Sequence, residues 1–367
     1  MIGATAFVSA VITGGALLGA VPAAAADTGS ISGLVWFDRD ASGTVGFGDA
    51  PAPMSGIRVD NLSTGASTQV YAGSDGTYQV PALAPGRYRV AVGTGWTYER
   101  TTPGHVDVRV RPGQTVTADF GLRGGEVCGT AWDDADGDGM RESGEFVLPA
   151  VQVTVNTPML VQAVTDASGR YCAHDLPLDG EAVVQPQYLA QRGFGFTRGI
   201  VESFPAEPYD SKIDAITGNS HRYTLTTEAL TVDVGYLRAT SDLSTSQIIF
   251  DGQPAGKTTF AVGDTFTVYG SVFPGGNVPE RLGATLTVPA GLRIVDRAGG
   301  MPSTVQGQSV VGEFPQRRTP GANEFIGARV VVEHAFSAAD VTLTVHPGDF
   351  PDSNPANNVL TQTINAV

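Results

Sequence analysis

The sequence predicts an all-β chain of tandem β-sandwiches. Three observations carry this. Short runs rich in Val, Ile, Thr, Tyr and Phe alternate with polar residues at period two, the pattern of half-buried strands. The 47 glycines and 23 prolines among 367 residues are spaced between those runs, as where tight turns join strands. A block of features also recurs at an offset of 96 residues (Asp38 to Asp134), which indicates tandem domains rather than a solenoid. At 41% hydrophobic residues the chain can bury two or three cores, and no amphipathic helix is expected beyond the N-terminus.

Residues 1–26 read as a secretory signal. Ala4 to Val21 is apolar, and Ala24-Ala-Ala26 supplies an Ala-x-Ala cleavage site before Asp27. The basic start of such signals is missing, so an uncleaved anchor helix is the alternative. The weak apolarity of a run rich in Gly and Ala favours cleavage. No second apolar span follows, and the C-terminus finishes inside a strand without a Leu-Pro-x-Thr-Gly sorting signal. The expectation is a secreted, extracellular product, or one held at the cell surface without a covalent bond.

The first repeat occupies residues 27–123. Its strands are expected at Ile31–Phe37, Ile57–Leu62, Gln69–Tyr71, Tyr78–Val80, Arg87–Val92, Val106–Val110 and Val116–Leu122. Seven short strands in about a hundred residues make a sandwich. The second repeat, 124–238, carries the same landmarks. Ser74-Asp-Gly76-Thr-Tyr78 matches Ala167-Ser-Gly169-Arg-Tyr171, and Ala118-Asp119-Phe-Gly121-Leu122 matches Val232-Asp233-Val-Gly235-Tyr236.

Each repeat opens with an acidic loop. From Asp134 the second loop fits a twelve-residue calcium loop: Asp134, Asp136, Asp138, Glu142 and Glu145 at places 1, 3, 5, 9 and 12. Gly139 stands at place 6, where the chain turns sharply, and Met140 at place 7, where the peptide carbonyl is the ligand. A hard cation takes six to eight oxygens, and a short acidic loop supplies most of them. Without the cation the five carboxylates repel one another, so the loop is expected to be loose when empty and rigid when filled. In the first repeat the corresponding residues are Asp38, Asp40, Ser42, Gly43, Thr44 and Asp49, with Gly46 at place 9. Fewer charges imply weaker binding, and the alternative is a decayed loop held by Asx hydrogen bonds alone. The segments on either side, Val127–Trp132 and Phe146–Val155, are β-branched and aromatic with one proline, so helical calcium sensors and dockerins are excluded.

The order of features is Gly-x-x-Trp, acidic loop, Gly/Pro-x-x-Val-x-Val strand, Asp-x-x-Gly-x-Tyr, Pro-Gly-x-Tyr and Asp-Phe-Gly-Leu. It resembles the B-type repeats of serine-aspartate-repeat surface proteins (SdrD B-like domains), a branch of the collagen-adhesin B-domain family. The resemblance covers residues 29–123 and 124–238 and implies a prealbumin-like sandwich, calcium in the loop and a stalk or spacer role on the bacterial surface. Relatives with a lysine–asparagine crosslink need a lysine on the first strand. Lys212 and Lys257 are the only lysines here, so no such crosslink is expected.

Residues 239–367 lack an acidic loop. Alternating strands are expected at Val262–Tyr269, at Ala284–Ile294 (broken by Pro289-Ala-Gly291), at Val330–Glu333 and at Val341–Val345. The segment Asp352-Ser-Asn354-Pro-Ala-Asn357-Asn358 reads as an Asx/Pro turn into a last strand. This order is similar to the immunoglobulin-like CARDB repeats of bacterial surface proteins; an ordinary sandwich turn is the other reading.

Cys128 and Cys172 are the only cysteines, both in the second repeat, and in an exported chain they are expected to pair. Two buried thiols are the alternative. A zinc pair finds no second Cys or His pair at ligand spacing along the sequence. Catalytic motifs are absent. Gly252-Gln-Pro-Ala-Gly256-Lys257-Thr258 has too few spacers for a phosphate loop, and the five histidines are scattered. A net charge of -15 disfavours nucleic acid. Trp96 and Tyr98 are the best candidates for an exposed sugar platform, whereas Trp36 and Trp132 recur at matched places and read as core. The expected function is non-enzymatic: a calcium-stiffened spacer or adhesion-type module. The alternative is a module binding a glycan, cell-wall or protein ligand through loops or sheet edges.

Overall fold

The computed structural model describes residues 27–93, 95–198 and 210–367. The signal reading, residues 1–26, lies outside the described residues. The described chain is all β apart from two short 3-10 turns, Ala190–Arg192 and Pro355–Asn357. No helix among the described residues is long and apolar enough to cross a membrane.

The chain divides into two compact units. One comprises residues 27–36, 51–93 and 103–120, and the other 37–50, 95–102, 121–198 and 210–367. In the first unit an antiparallel sheet runs Ser67–Tyr71, Gly56–Asn61, Gly86–Gly93, His105–Val110. Strand Gly29–Phe37 pairs antiparallel with Thr77–Leu83 and parallel with Thr115–Thr117. Period-two alternation turns Ile57, Val59, Tyr88, Val90 and Val92 inward, where they are buried with Ile31, Val35 and Phe120.

The second unit repeats this plan and adds to it. Gln152–Asn156 lies between Leu160–Val164 and Glu181–Pro186, with Arg222–Thr224 outermost. Gly125–Asp133 pairs antiparallel with Arg170–Leu176 and parallel with both Ala229–Thr231 and Val234–Arg238. Their apolar faces form one core cluster, with Val127, Val153, Val184, Phe196 and Tyr236 among its members. A separate cluster gathers residues from Leu243 to Ala366, between a sheet of Ser241–Asp251, Thr265–Gly276, Glu324–Val332 and Leu292–Gly299 and a six-stranded partner sheet.

The observed strands depart from the sequence expectation in places. The expected run Val116–Leu122 is two strands, Thr115–Thr117 and Phe120–Arg123, because the Asp119 side chain turns aside to accept the Leu34 N–H (2.8 Å). Phe146–Val155 is likewise split, Phe146–Val147 and Gln152–Asn156, around Pro149 and an Ala150 at φ 57°. Strand Ser241–Asp251 and the hairpin Ser303–Gln306/Ser309–Glu313 were not expected. They are rich in Ser, Thr, Asp and Gln, so alternation is blurred.

Candidate metal centre

The acidic loop of the second repeat begins where Gly125–Asp133 ends. Trp132 is fully buried there, and the Asp134 N–H donates to the Tyr236 carbonyl at 2.7 Å, which pins the first loop residue to the last strand of the repeat. The buried Asp134 carboxylate accepts from the Gly137 N–H (2.9 Å), the Gly139 N–H (2.9 Å) and the Thr197 hydroxyl. Gly137 and Gly139 hold φ of 77° and 86°, a left-handed turn that aims successive N–H groups inward. Glu145 closes the loop: Oε1 accepts the Ala135 N–H (2.8 Å) and Oε2 the Glu142 N–H (3.0 Å). Asp138 accepts the Met140 N–H at 2.7 Å.

This scaffold brings Asp134, Asp136 and Glu145 together, one oxygen from each lying within 4.8 Å of the others. Asp136, Asp138 and Glu142 form a second trio that shares Asp136. Two ligands at calcium–oxygen distance from one ion stand at most about 5 Å apart, so the donor set and its spacing fit a hard divalent cation. Glu142 is held above its ordinary carboxylate range, first by desolvation and then by the charges of Asp138, Glu145, Asp136 and Asp134. A cation there relieves that crowding.

The first loop is built in the same way. Asp38 donates its N–H to Leu122 O at 2.7 Å, and its buried carboxylate accepts the Ser42 N–H (3.0 Å) and the Gly43 N–H (2.7 Å). Asp49 accepts the Arg39 N–H (3.1 Å) and the Gly46 N–H (2.8 Å), the two bonds that Glu145 makes at the corresponding places. Asp38, Asp40 and Asp49 bring their oxygens within 4.8 Å of one another. Burial pushes the Asp38 carboxyl up, and hydrogen bonds, those of Gly43 and Ser42 among them, more than reverse this, leaving it below its usual range. One difference weakens this loop: the Ser42 hydroxyl donates to the Thr44 carbonyl (2.8 Å), so two expected oxygen ligands engage each other. Thr197 is a contributor that the loop motif does not reveal, since it lies far along the chain.

Cys128 and Cys172 form a disulfide between directly paired positions of Gly125–Asp133 and Arg170–Leu176. Glu126 and His174 flank it on the same sheet face, a juxtaposition that linear spacing hides and strand register creates. Among the aromatics, Trp36 and Trp132 are buried. Of the two aromatics expected to be exposed, Trp96 is exposed and Tyr98 packs edge-on against Phe37 at 5.2 Å.

Residues 41–123 match the family model of the carboxypeptidase regulatory-like domain, which spans most of the first repeat. No curated protein matches the chain. Among solved structures it is similar to the minor pilin GBS52 of Streptococcus agalactiae (10% identity over 57% of this chain and 96% of that one, TM-score 0.23). It is also similar to the shaft pilin SpaA from Lactobacillus rhamnosus GG (8%, 57% and 98%, TM-score 0.30). A third is BcpA, the major pilin subunit of Bacillus cereus (12%, 66% and 68%, TM-score 0.22).

Proposed function

We propose that this chain is a non-enzymatic structural or adhesion-type module of the bacterial exterior, made of three sandwiches (27–123, 124–238 and 239–367) and stiffened by calcium. One observation supports it above the others: two loops 96 residues apart (Asp38 and Asp134) each gather three carboxylates within 4.8 Å on matching hydrogen bonds. In the second loop Asp134, Asp136, Asp138, Glu142 and Glu145, with the Met140 carbonyl, hold the ion; in the first, Asp38, Asp40, Ser42, Thr44 and Asp49. The ion supplies charge neutralisation and ties place 1 to place 12, so the strands on either side of the loop are held at a fixed geometry.

Binding to the folded state alone adds about 2.7 kcal/mol at a hundredfold excess over Kd, and extracellular calcium modules bind at roughly 0.1–1 mM. The full chain is therefore expected to melt at a higher temperature in millimolar calcium than in chelator. Glu145→Ala removes most of the difference, measured by scanning calorimetry. Identical melting in calcium and EDTA overturns the reading.

A second reading, a module for a polar ligand, has one observation behind it. An open groove of about 1200 Å³ is lined by Arg281, Asp296, Arg297, Glu313 and His346. Saturable binding on a glycan or cell-wall array that Arg297→Ala abolishes would favour this reading.

A further inference from the structure

The sheet that carries the disulfide also assembles four potential metal ligands. Glu126 and Cys128 stand two residues apart on one strand, and Cys172 and His174 two apart on its antiparallel neighbour, so alternation puts all four side chains on one face. Cys128 and Cys172 are direct partners with Cα atoms 4.1 Å apart. Cys128 Sγ lies 2.8 Å from Glu126 Oε1, and His174 Nδ1 lies 3.5 Å from Glu126 Oε2. One ligand atom each of Glu126, Cys172 and His174 falls within 4.8 Å of the others. The group is half-buried, open to a small solute yet fixed by two strands. Of the guanidiniums that line the small pocket beside Glu126 and His174, Arg39 bonds Asp175 (Nε–Oδ1 2.9 Å), and Arg123 is the other.

Two sulfurs, one imidazole nitrogen and one carboxylate oxygen make a tetrahedral set for a borderline cation. Such ligands stand about 3.3–3.8 Å apart around the ion, within reach of small side-chain rotations from the positions seen. We propose that the Cys128–Cys172 bridge is the closed form of a zinc-type site that a dithiol reductant opens. The dithiol gives two electrons and two protons to the bridge and leaves as its own disulfide. Cys128 and Cys172 become thiols. The incoming divalent cation displaces both thiol protons and is held by the two thiolates, by neutral His174 through Nδ1 and by Glu126. A small disulfide oxidant takes two electrons from the thiolates and two protons from water and leaves as its own dithiol; the bridge reforms, the two sulfur ligands are lost and the ion is released. The site is separate from the carboxylate loops, whose oxygen ligands suit calcium instead.

The test uses the full chain in excess calcium, so that the loops do not compete. The protein is reduced with dithiothreitol, freed of reductant without air and titrated with cobalt(II), whose thiolate charge-transfer and tetrahedral d–d absorptions report sulfur ligation. The reduced chain is expected to bind one cobalt with both signatures, displaceable by zinc, and the oxidised chain to show neither. His174→Ala and Glu126→Gln should each weaken binding by about tenfold or more while leaving the melting of the oxidised chain unchanged. Absence of the charge-transfer band in the reduced, folded chain overturns the proposal. So does equal affinity in both variants, which would mean a bare dithiol. If reduction unfolds the repeat, zinc must restore the native circular dichroism, and failure to do so overturns it as well.

Discussion

Gly129 shows how tightly single residues are constrained. A Cβ placed there would sit 1.9 Å from the Val232 carbonyl oxygen, the same oxygen that accepts the Tyr171 hydroxyl at 2.7 Å. Gly33 meets the Ala118 carbonyl in the same way, with Tyr78 as the donor. Gly129→Ala must push the last strand off the first, and it should cost about 3 kcal/mol or more in urea unfolding. Glu280 poses a different constraint. It is fully buried, its Oε1 accepts the Ser241 hydroxyl at 2.7 Å, and burial, helped by Asp349 and Asp352, raises it from 4.5 to about 7. Between those values the folded chain keeps a proton that the unfolded chain has released. That stabilisation is complete below pH 4.5 and is lost as pH rises through 7. Stability should fall by on the order of 2 kcal/mol between about pH 5 and pH 8, and Glu280→Gln should flatten the slope in denaturant titrations at both pH values. The glycine and tyrosine of each pair are visible in the repeat motif. The residues that supply the shared carbonyl, Ala118 and Val232, also stand in the repeat motif, but their meeting with the glycine does not, because it depends on how the link between two late strands lies over the first strand.

Among elements, the acidic loops were the most legible, since their spacing encodes the turn and their side chains bond within twelve residues. Asp134, Glu145, Asp38 and Asp49 all converge as that spacing implies. Partners from other strands were not legible: Thr197 on Asp134, and Glu126 beside His174, depend on register, which a single sequence reveals only after the strands are paired. The disulfide joins two such strands and closes a 44-residue separation. Replacing both cysteines by serine should lower the stability of the second repeat by about 4 kcal/mol on the chain-entropy estimate, read from urea midpoints with and without reductant. Ser241–Asp251 escaped notice for a related reason. Seven of its eleven residues are polar, and it is held by a long ladder to Thr265–Gly276 rather than by its own pattern.

On the scale of the whole molecule, the all-β architecture was legible because glycine- and proline-marked turns recur between alternating strands. Within the second unit the two core clusters, Val127 to Tyr236 and Leu243 to Ala366, share no member. They meet through a polar-aromatic joint: the Arg317 guanidinium lies 3.5 Å above the Tyr188 ring, which also touches Phe196 and Phe350. The calcium loop proposed above at Asp134–Glu145 lies on one side of that joint, so calcium bound there acts on that side. It should therefore raise the calorimetric transition of the 127–236 core by several degrees and leave that of the 243–366 core in place.

The parallel pairing of Gly125–Asp133 with Ala229–Thr231 and Val234–Arg238 has a mechanical consequence. Tension applied to the two ends of this repeat pulls its first and last strands in opposite directions along their common axis. Their inter-strand hydrogen bonds are then loaded in shear and must rupture together, whereas an antiparallel terminal pair would unzip one bond at a time. Strand Gly29–Phe37 and Thr115–Thr117 repeat the arrangement. A chain of such units resists stretching through the order of its strands, before any ion adds to it.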